Sequence, residues 1–118
     1  SIGMKKRIPR GEHYHIKLIE NFWILSGNAL WIFHDFNKKS KTFGKTWSLV
    51  LDFPPKKNKL AQIEIPPYVY HAFWPLTNKP VVAVASGTTG YDPKDFVRPS
   101  IAEVPGAKRI LKKYGIKA

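Results

Sequence analysis

Residues 10–27 read RGEHYHIKLIENFWILSG, and the histidines of this stretch decide which fold and which chemistry the chain favours. His13 and His15 are two positions apart, so a β-strand here would place both imidazoles on one face. Glu20 follows five residues after His15, far enough for the chain to bend and bring a carboxylate back beside them. The stretch therefore predicts a cluster of titratable side chains on a β-strand and on the segment that folds back beside it.

A third histidine completes this set from a distant part of the sequence. His71 follows the Pro66-Pro67 turn and precedes the apolar run Ala72-Phe73-Trp74. Three imidazoles and one carboxylate form a mixed nitrogen and oxygen set that suits zinc, iron, manganese, nickel or copper. The competing interpretation is a His-x-His pair that arises by chance in a strand-rich, basic chain.

The remainder of the sequence is organised as short strands with turns between them. Apolar-rich or alternating stretches bounded by proline, glycine and asparagine predict these strands. Only the tail, from Gly106 to Tyr114, has apolar residues at helical spacing, and Gly115 follows as its stop. Several short strands at close spacing predict an all-β sandwich or barrel with a short C-terminal helix. The predicted strands are 28–36, 45–53, 60–65 and 80–86.

The composition limits the class of protein. With 118 residues, 43% of them hydrophobic and 14% aromatic, the chain can bury a core of its own, which argues against a disordered tail. It has no cysteine, which excludes disulfides, cysteine-bound metals and a catalytic thiol. No apolar run approaches the roughly 20 residues of a membrane-spanning helix. We therefore expect a cytoplasmic protein without a membrane segment.

The charge is strongly basic and indicates anionic partners. Twenty lysines and arginines stand against eight acidic residues, a formal net charge of +12. Nucleic acid, an acidic surface or a phosphorylated small molecule would all suit this charge, and so would a solvated lysine-rich surface without a partner. The sequence has no glycine-rich or arginine-rich recognition motif, and Trp31 and Trp47 lie in predicted strands beside apolar residues. Nucleic acid is therefore the least favoured partner.

The opening stretch resembles the first sequence motif of the cupins, in which His-x-His is followed by four residues, Glu, six residues and Gly. The second cupin motif, Pro-x-Gly-x-x-His, is similar to residues 66–71, with Tyr68 in place of the glycine. The resemblance implies a cupin-type jelly-roll β-barrel whose three motif histidines and glutamate are metal ligands. The residues of this chain that match the first motif are His13, His15, Glu20 and Gly27.

Further segments narrow the resemblance. Between about Arg10 and Arg98 the chain looks like the dTDP-4-dehydrorhamnose 3,5-epimerase group, which acts on nucleotide-linked 4-keto-6-deoxy sugars. Asn21-Phe22-Trp23 is similar to the epimerase-related and sugar ketoisomerase branch of that group. The resembling segments are Arg10-Gly11-x-His13, residues 40–44, Ile65-Pro66-Pro67 with His71-Ala72-Phe73, and residues 91–95.

The resemblance also implies roles for individual residues. His13 stands where the family's general base stands, Arg10 matches its arginine near the substrate, and Tyr91 matches its general acid. His71 is assigned to substrate binding as well as to the metal set. The implied function is an epimerase or isomerase in deoxysugar and polysaccharide biosynthesis that removes a proton alpha to a ketone.

Two departures favour a related isomerase over the true epimerase. The true epimerase has glutamine where His15 stands. A late aspartate orients its base, whereas the segment after Arg98 in this chain has no aspartate, and its only acidic residue is Glu103. If the true-epimerase mechanism applies, no metal is needed. If it does not, we expect a divalent zinc, iron, manganese or nickel ion at the motif histidines and glutamate. The alternative function is a non-catalytic cupin that binds a metal or a sugar.

The remaining expectations concern assembly and extent. Small cupins pair through sheet edges, and this short chain carries many strand aromatics, so we expect a homodimer that binds a nucleotide sugar or another small anion. Residues 1–118 are expected to form a single cupin domain that lacks some upstream strands of the family. His34 shares strand parity with apolar residues and is expected to be a satisfied interior or edge histidine.

Overall fold

Two β-sheets pack face to face, and a short helix covers the far side of the larger one. The computed structural model describes residues 5–52 and 62–118. The strands are β1 (Lys5–Lys6), β2 (Arg10–His15), β3 (Glu20–Ser26), β4 (Asn28–Asp35), β5 (Thr46–Asp52), β6 (Gln62–Ile65), β7 (Val69–Pro75), β8 (Val82–Gly87), β9 (Phe96–Val97) and β10 (Ile116–Lys117). The helix α1 spans Ala107–Lys113, and 3-10 turns lie at Pro93–Asp95 and Ile101–Glu103.

The larger sheet has the strand order β5-β4-β7-β2-β9, and the smaller sheet has the order β6-β3-β8. All of these neighbours pair antiparallel, whereas β1 and β10 form a separate parallel pair. Strand β4 lies inside the larger sheet and is buried from Ala29 to Asp35. Because both of its faces are covered, its sequence is a nearly continuous apolar run instead of an alternation.

The two faces of the five-stranded sheet bury different cores. Its inner face packs against the three-stranded sheet, where Trp31 of β4 stacks on Phe73 of β7 with ring centroids 4.3 Å apart. Its outer face packs against α1, where Leu30 and Ile32 of β4 meet Leu111 of the helix. Alternate residues of each strand thus face either the histidine cluster described below or the C-terminal helix.

The predicted all-β class with a short C-terminal helix is confirmed. The predicted strands at 28–36, 45–53, 60–65 and 80–86 correspond to β4, β5, β6 and β8, and the predicted helix corresponds to α1. Residue 53 and residues 60–61 of those predictions lie outside the described residues. Within the described ranges no ladder joins the two sheets, so the jelly roll is an open sandwich and not the closed barrel expected from the sequence. None of the helices described is long and apolar enough to span a membrane.

Gly27, the last residue of the first motif, occupies a turn that only glycine fits. Its φ is +87°, and a Cβ there would lie 2.5 Å from the backbone oxygen of Pro80. We expect Gly27→Ala to lower the free energy of unfolding in urea by about 1–2 kcal/mol for the positive φ and by a further ~1–3 kcal/mol for the clash.

The matched control is Gly44→Ala. Gly44 has nearly the same φ, +83°, but a Cβ there would meet nothing within 4 Å among the described residues. This variant should lose only the conformational part, about 1–2 kcal/mol. Equal losses at the two positions would show that the close approach to Pro80 carries no energy.

Candidate active site and metal centre

The structure brings all four predicted ligand residues together at one end of the sandwich. His13 on β2 lies directly opposite His71 on β7, and His15 follows on β2. Glu20 enters from the first residue of β3, in the other sheet. One nitrogen or oxygen atom of each of these four side chains lies within 4.8 Å of the others. The cluster therefore fills the space between the two inner faces.

A β-bulge aims these histidines inward. Arg10 pairs with Phe73 and His13 pairs with His71, so the register shifts between Gly11 and His13. An odd separation of three residues would place Arg10 and His13 on opposite faces of a regular strand, and the extra residue of the bulge restores a common face. At Gly11 a Cβ would lie 2.6 Å from the backbone oxygen of His71, so glycine is required there.

His15 is held between two carboxylates. It is buried, its Nε2 lies 2.9 Å from Oε1 of Glu20, and its Nδ1 lies 3.3 Å from Oδ2 of Asp95. The Nδ1 contact is short enough for an ion pair but is not aligned as a hydrogen bond. The two contacts fix the plane of the ring, so its orientation does not depend on a bound ligand.

Asp95 also organises the turn that follows β2. Its carboxylate accepts backbone N–H bonds from Ile16, Lys17 and Leu18 at 3.2, 2.8 and 3.3 Å. Burial raises the pKa of this carboxyl, but the backbone donors together with His15 outweigh burial and hold the pKa below its usual value. Asp95 is therefore an anion at neutral pH, and it ties the 3-10 turn before β9 to the β2–β3 connection.

Glu20 links two of the histidines across the sheets. Its Oε1 lies 2.9 Å from His15 Nε2 and 3.1 Å from His71 Nε2. Burial raises the pKa of Glu20, and the close contact and charge of His71, with the other two histidines, outweigh burial so that the pKa is lowered overall. His71 donates from Nδ1 to the backbone oxygen of Val69 at 3.1 Å, which fixes the orientation of the ring and turns its Nε2 toward Glu20.

His13 is the most perturbed histidine. Burial lowers its pKa to about 4, and His71, His15 and Arg98 add to the effect while Glu20 opposes it. Its Nε2 is buried among the described residues without a hydrogen-bond partner, whereas its Nδ1 has Nη1 of Arg98 at 3.4 Å on the exposed side. His13 is therefore neutral at physiological pH and presents one nitrogen to the cluster and the other to the outside.

The donor set fits a divalent transition metal. His13 Nε2 and His71 Nε2 are buried and have no hydrogen-bond partner within the described residues. Leaving a buried polar atom unpaired costs about 1–3 kcal/mol, and a cation is a partner that would recover this cost. His71 and His15 also have backbone or carboxylate groups at their second ring nitrogen, the arrangement typical of metal-binding histidines.

The other two predicted residues, Arg10 and Tyr91, lie outside the cluster of four side chains. Arg10 lies on the inner face opposite Phe73, is exposed, and has no hydrogen bond to the cluster among the described residues. Tyr91 is 83% exposed and lines a cavity of about 180 Å³ together with His15 and Glu20. Tyr91 is thus placed to meet a ligand in this cavity, whereas Arg10 is not among the residues that line it.

Sequence reasoning missed three residues of the site. Phe96 on β9 packs edge-on against His13 and His15, with ring centroids 5.0 and 4.6 Å away, and the guanidinium of Arg98 lies over its other side at 5.1 Å. Asp95 is the third. The sequence analysis considered an orienting aspartate only after Arg98, where the chain has none, whereas the structure shows Asp95 in contact with His15. The available signal was that the matched segment 91–95 ends at Asp95 and is followed directly by Phe96-Val97-Arg98.

His34 behaves as the sequence suggested. It is buried on the outer face of β4, and its Nδ1 lies 2.6 Å from the hydroxyl oxygen of Thr46. Burial lowers its pKa. It is a satisfied histidine away from the cluster, which makes it a matched control for substitutions within the cluster.

Known structures share this fold, although no family model and no curated protein sequence matches the chain. The dTDP-4-dehydrorhamnose 3,5-epimerase of Elizabethkingia anophelis is 23% identical with a TM-score of 0.65, over 79% of this chain and 50% of that one. A dTDP sugar isomerase of Desulfovibrio desulfuricans is 15% identical with a TM-score of 0.70, over 89% and 71%. The chain has the jelly-roll fold of these sugar-nucleotide enzymes.

A third similar structure belongs to the ketoisomerase branch. A sugar 3,4-ketoisomerase of Thermoanaerobacterium thermosaccharolyticum, solved in complex with TDP, is 20% identical with a TM-score of 0.61, over 90% of this chain and 68% of that one. The chain thus spans half of the epimerase and about two thirds of the ketoisomerase. The jelly-roll fold suggested by the sequence is confirmed.

The contacts of Asp95 lead to a stability prediction. An asparagine has one acceptor oxygen, so Asp95→Asn would direct an NH₂ group at one of the backbone donors or at His15. We expect the free energy of unfolding in urea to fall by about 1–3 kcal/mol, because a buried donor loses its partner.

Asp92→Asn is the control for this prediction. Asp92 caps the neighbouring 3-10 turn by accepting from the Lys94 N–H at 2.9 Å, and it is exposed. Asparagine caps as well as aspartate, so the change should stay within about 0.5 kcal/mol. If both variants unfold at the same urea concentration, the buried contacts of Asp95 do not stabilise the fold.

Proposed function

We propose that the protein is an epimerase or ketoisomerase of a nucleotide-linked 4-keto-6-deoxy sugar, which removes a proton alpha to the ketone at the mouth of the histidine cluster. The observation that carries the proposal is the position of His13, which is neutral and presents Nδ1 outward beside Arg98. The fold shared with dTDP-sugar epimerases and ketoisomerases supports the substrate class.

His13 is the base in this proposal. Its low pKa keeps the ring unprotonated at neutral pH, and the contact from Arg98 leaves the lone pair on Nδ1. A base of low pKa is a weak proton acceptor, so the reaction depends on stabilisation of the enolate that forms. Arg98 lies at the same nitrogen and can donate to the enolate oxygen once substrate replaces its contact with His13.

The proton and electrons balance without a further reactant. The C–H bond alpha to the ketone breaks, its proton goes to His13 Nδ1, and its electron pair forms the enolate with the negative charge on oxygen. Proton return to the opposite face of the same carbon gives the epimer. Return to the former carbonyl carbon gives the ketoisomer: the hydroxyl on the neighbouring carbon loses its proton and becomes the new carbonyl, and the enolate oxygen takes up that proton and becomes a hydroxyl. Tyr91 is exposed at the mouth and supplies the proton.

The cavity size indicates how the substrate lies. At about 180 Å³ it is smaller than the roughly 300–1,000 Å³ of a typical small-molecule site. It therefore takes the sugar, and the diphosphate lies outside it beside the exposed Arg98, whose guanidinium lies over the cavity-lining Phe96. Guanidinium groups bind phosphate through paired hydrogen bonds, which suits this position.

Solvent exchange tests the proposed activity. When dTDP-4-keto-6-deoxyglucose is incubated with the protein in D₂O, we expect deuterium to enter carbon 3, detected by proton NMR. His13→Asn should abolish the uptake, because asparagine has no lone pair of comparable basicity. His34→Asn should leave it unchanged, because His34 lies on the other face of the sheet.

The outcome also separates catalysis from the alternative function. If neither the protein as purified nor the protein with added metal exchanges deuterium with the keto sugar, the protein is a binding cupin and the catalytic proposal is wrong. If chelators stop the exchange and added metal restores it, the base is not His13 acting alone.

A second function of the same cluster, holding a divalent metal, is favoured by the unpartnered nitrogens of His13 and His71. We infer that these histidines, with His15 and Glu20, would hold zinc, iron, manganese or nickel. When bound, the ion would supply a positive charge that polarises the ketone. A neutral His13 bound through Nε2 carries its proton on Nδ1, so Tyr91 would then take over the proton transfer.

Metal content provides the test. We expect His15→Ala to lower both the metal content by elemental analysis and the melting temperature, because a metal bound only to the native state stabilises it. His34→Ala removes an equally buried histidine and should lower the melting temperature without changing the metal content. A wild-type content below about a tenth of an equivalent would contradict the metal site.

Two further expectations stay predictions. The homodimer agrees with the exposed apolar residues of the smaller sheet, Leu25, Val82 and Val84, each 47–49% exposed. The single-domain extent over 1–118 and the cytoplasmic location follow from the sequence alone.

A further inference from the structure

A second pocket lies on the outer face of the five-stranded sheet, away from the histidine cluster. Tyr14 stands between His13 and His15 on β2, so its side chain leaves the opposite face of the strand. The pocket has a volume of about 590 Å³, within the range of small-molecule sites. It is lined by Tyr14, Phe36, Asn37, Lys38, Lys39, Phe43 and Tyr68.

Aromatic rings form one wall of this outer pocket. Tyr14 and Phe36 are stacked, with centroids 5.1 Å apart and planes 25° apart, and Tyr68 lies 5.7 Å from Tyr14 at 32°. All three rings are half-buried, so they are held by the fold, and Phe43 beside them is 49% exposed. Nearly parallel, fixed rings with exposed area provide a platform for a flat ligand.

The backbone at Tyr68 has a strained conformation for a bulky residue. Its φ is +67°, a left-handed conformation that disfavours bulky residues and that glycine adopts freely. Two backbone hydrogen bonds enforce this conformation. The Tyr68 N–H donates to the backbone oxygen of His15 at 2.7 Å, and the Tyr68 carbonyl accepts from the backbone N–H of Phe36 at 2.9 Å. A residue that strains the backbone but completes an aromatic wall points to a role for the ring itself.

The charge beside the rings selects an anion. Lys38 and Lys39 are exposed in the turn that follows β4 and line the same pocket. The described lining residues include no carboxylate, and the whole chain carries a net charge of +12. The ligand that matches both features has a flat ring and a phosphate a few ångströms away.

We propose that the outer pocket binds a free nucleoside phosphate, with its base on Tyr14, Phe36 and Tyr68 and its phosphate on Lys38 and Lys39. This site is separate from the proposed catalytic mouth, because the two lie on opposite faces of β2. A single compartment with two lysines suits one nucleotide. A nucleic acid strand would require basic residues continuing along a groove.

The test uses thymidine diphosphate as the probe, with amide chemical shifts to locate binding and calorimetry to measure it. We expect thymidine diphosphate to shift the amides of residues 36–43. Tyr68→Gly should weaken this binding about tenfold, the loss of one stacking contact. Thymidine, which lacks phosphate, and inorganic phosphate, which lacks a ring, should each bind at least about tenfold more weakly than the diphosphate.

Tyr68→Gly keeps the test independent of stability. Glycine relieves the positive φ but removes the half-buried ring, and because the two effects oppose each other the urea midpoint should change little while binding is lost. The double variant Lys38→Ala/Lys39→Ala changes only exposed side chains and should weaken binding at this site. Lys112→Ala/Lys113→Ala on α1 removes the same charge elsewhere and should not.

Several outcomes would overturn the proposal. Thymidine diphosphate could shift only residues 91–98 at the catalytic mouth, Tyr68→Gly could bind as tightly as the wild type, or the two lysine variants could lose affinity equally. A single-stranded oligonucleotide that binds residues 36–43 while the free nucleotide does not would show a nucleic acid site instead. Loss of deuterium exchange with intact binding at residues 36–43 would leave this proposal standing and contradict only the catalytic one.

Discussion

The bulge in β2 is the constraint on which the rest of the structure depends. One extra residue at Gly11–Glu12 changes the parity of the strand, so that Arg10, His13 and His15 all face the three-stranded sheet. Glu12 accepts a φ of +58° to achieve this. The same change sends Tyr14 to the outer face. The proposed catalytic mouth and the outer pocket are therefore two consequences of a single local distortion.

Three imidazoles buried together need polar partners, and the fold provides more of them to His15 and His71 than to His13. His15 has a carboxylate on each side, His71 has Glu20 and a backbone carbonyl, and His13 has only Arg98 nearby at its outward nitrogen. Because these contacts hold the rings of His15 and His71 in place, those two histidines are fixed, and His13 is the one left available to a ligand. This asymmetry is why we assign the proposed proton transfer to His13.

The histidine cluster was predictable because it follows from spacing, and the second set of contacts was not. The two-residue interval between His13 and His15 places both side chains on one face of a strand. The proline turn before His71 indicates that a new strand begins there. Asp95 and Arg98 flank β9 and contact β2 residues that lie 80 and 85 positions earlier in the chain, and β9 has only two residues and hence no periodicity. The sequence marks the bulge only in part: Gly11 has the positive φ that glycine signals, but Glu12 beside it has a positive φ that its residue type does not indicate.

The two candidate functions of the cluster compete through one proton. Arg98 donates toward His13 Nδ1, which favours the tautomer whose hydrogen is on the buried Nε2. A metal at Nε2 requires the opposite tautomer, with the hydrogen on Nδ1 facing the cationic guanidinium. Metal binding therefore opposes the Arg98 contact, and since Arg98 is exposed, it can swing away. The position of a surface arginine thus decides whether the inward nitrogen of His13 is free for a metal or its outward nitrogen is free for a proton.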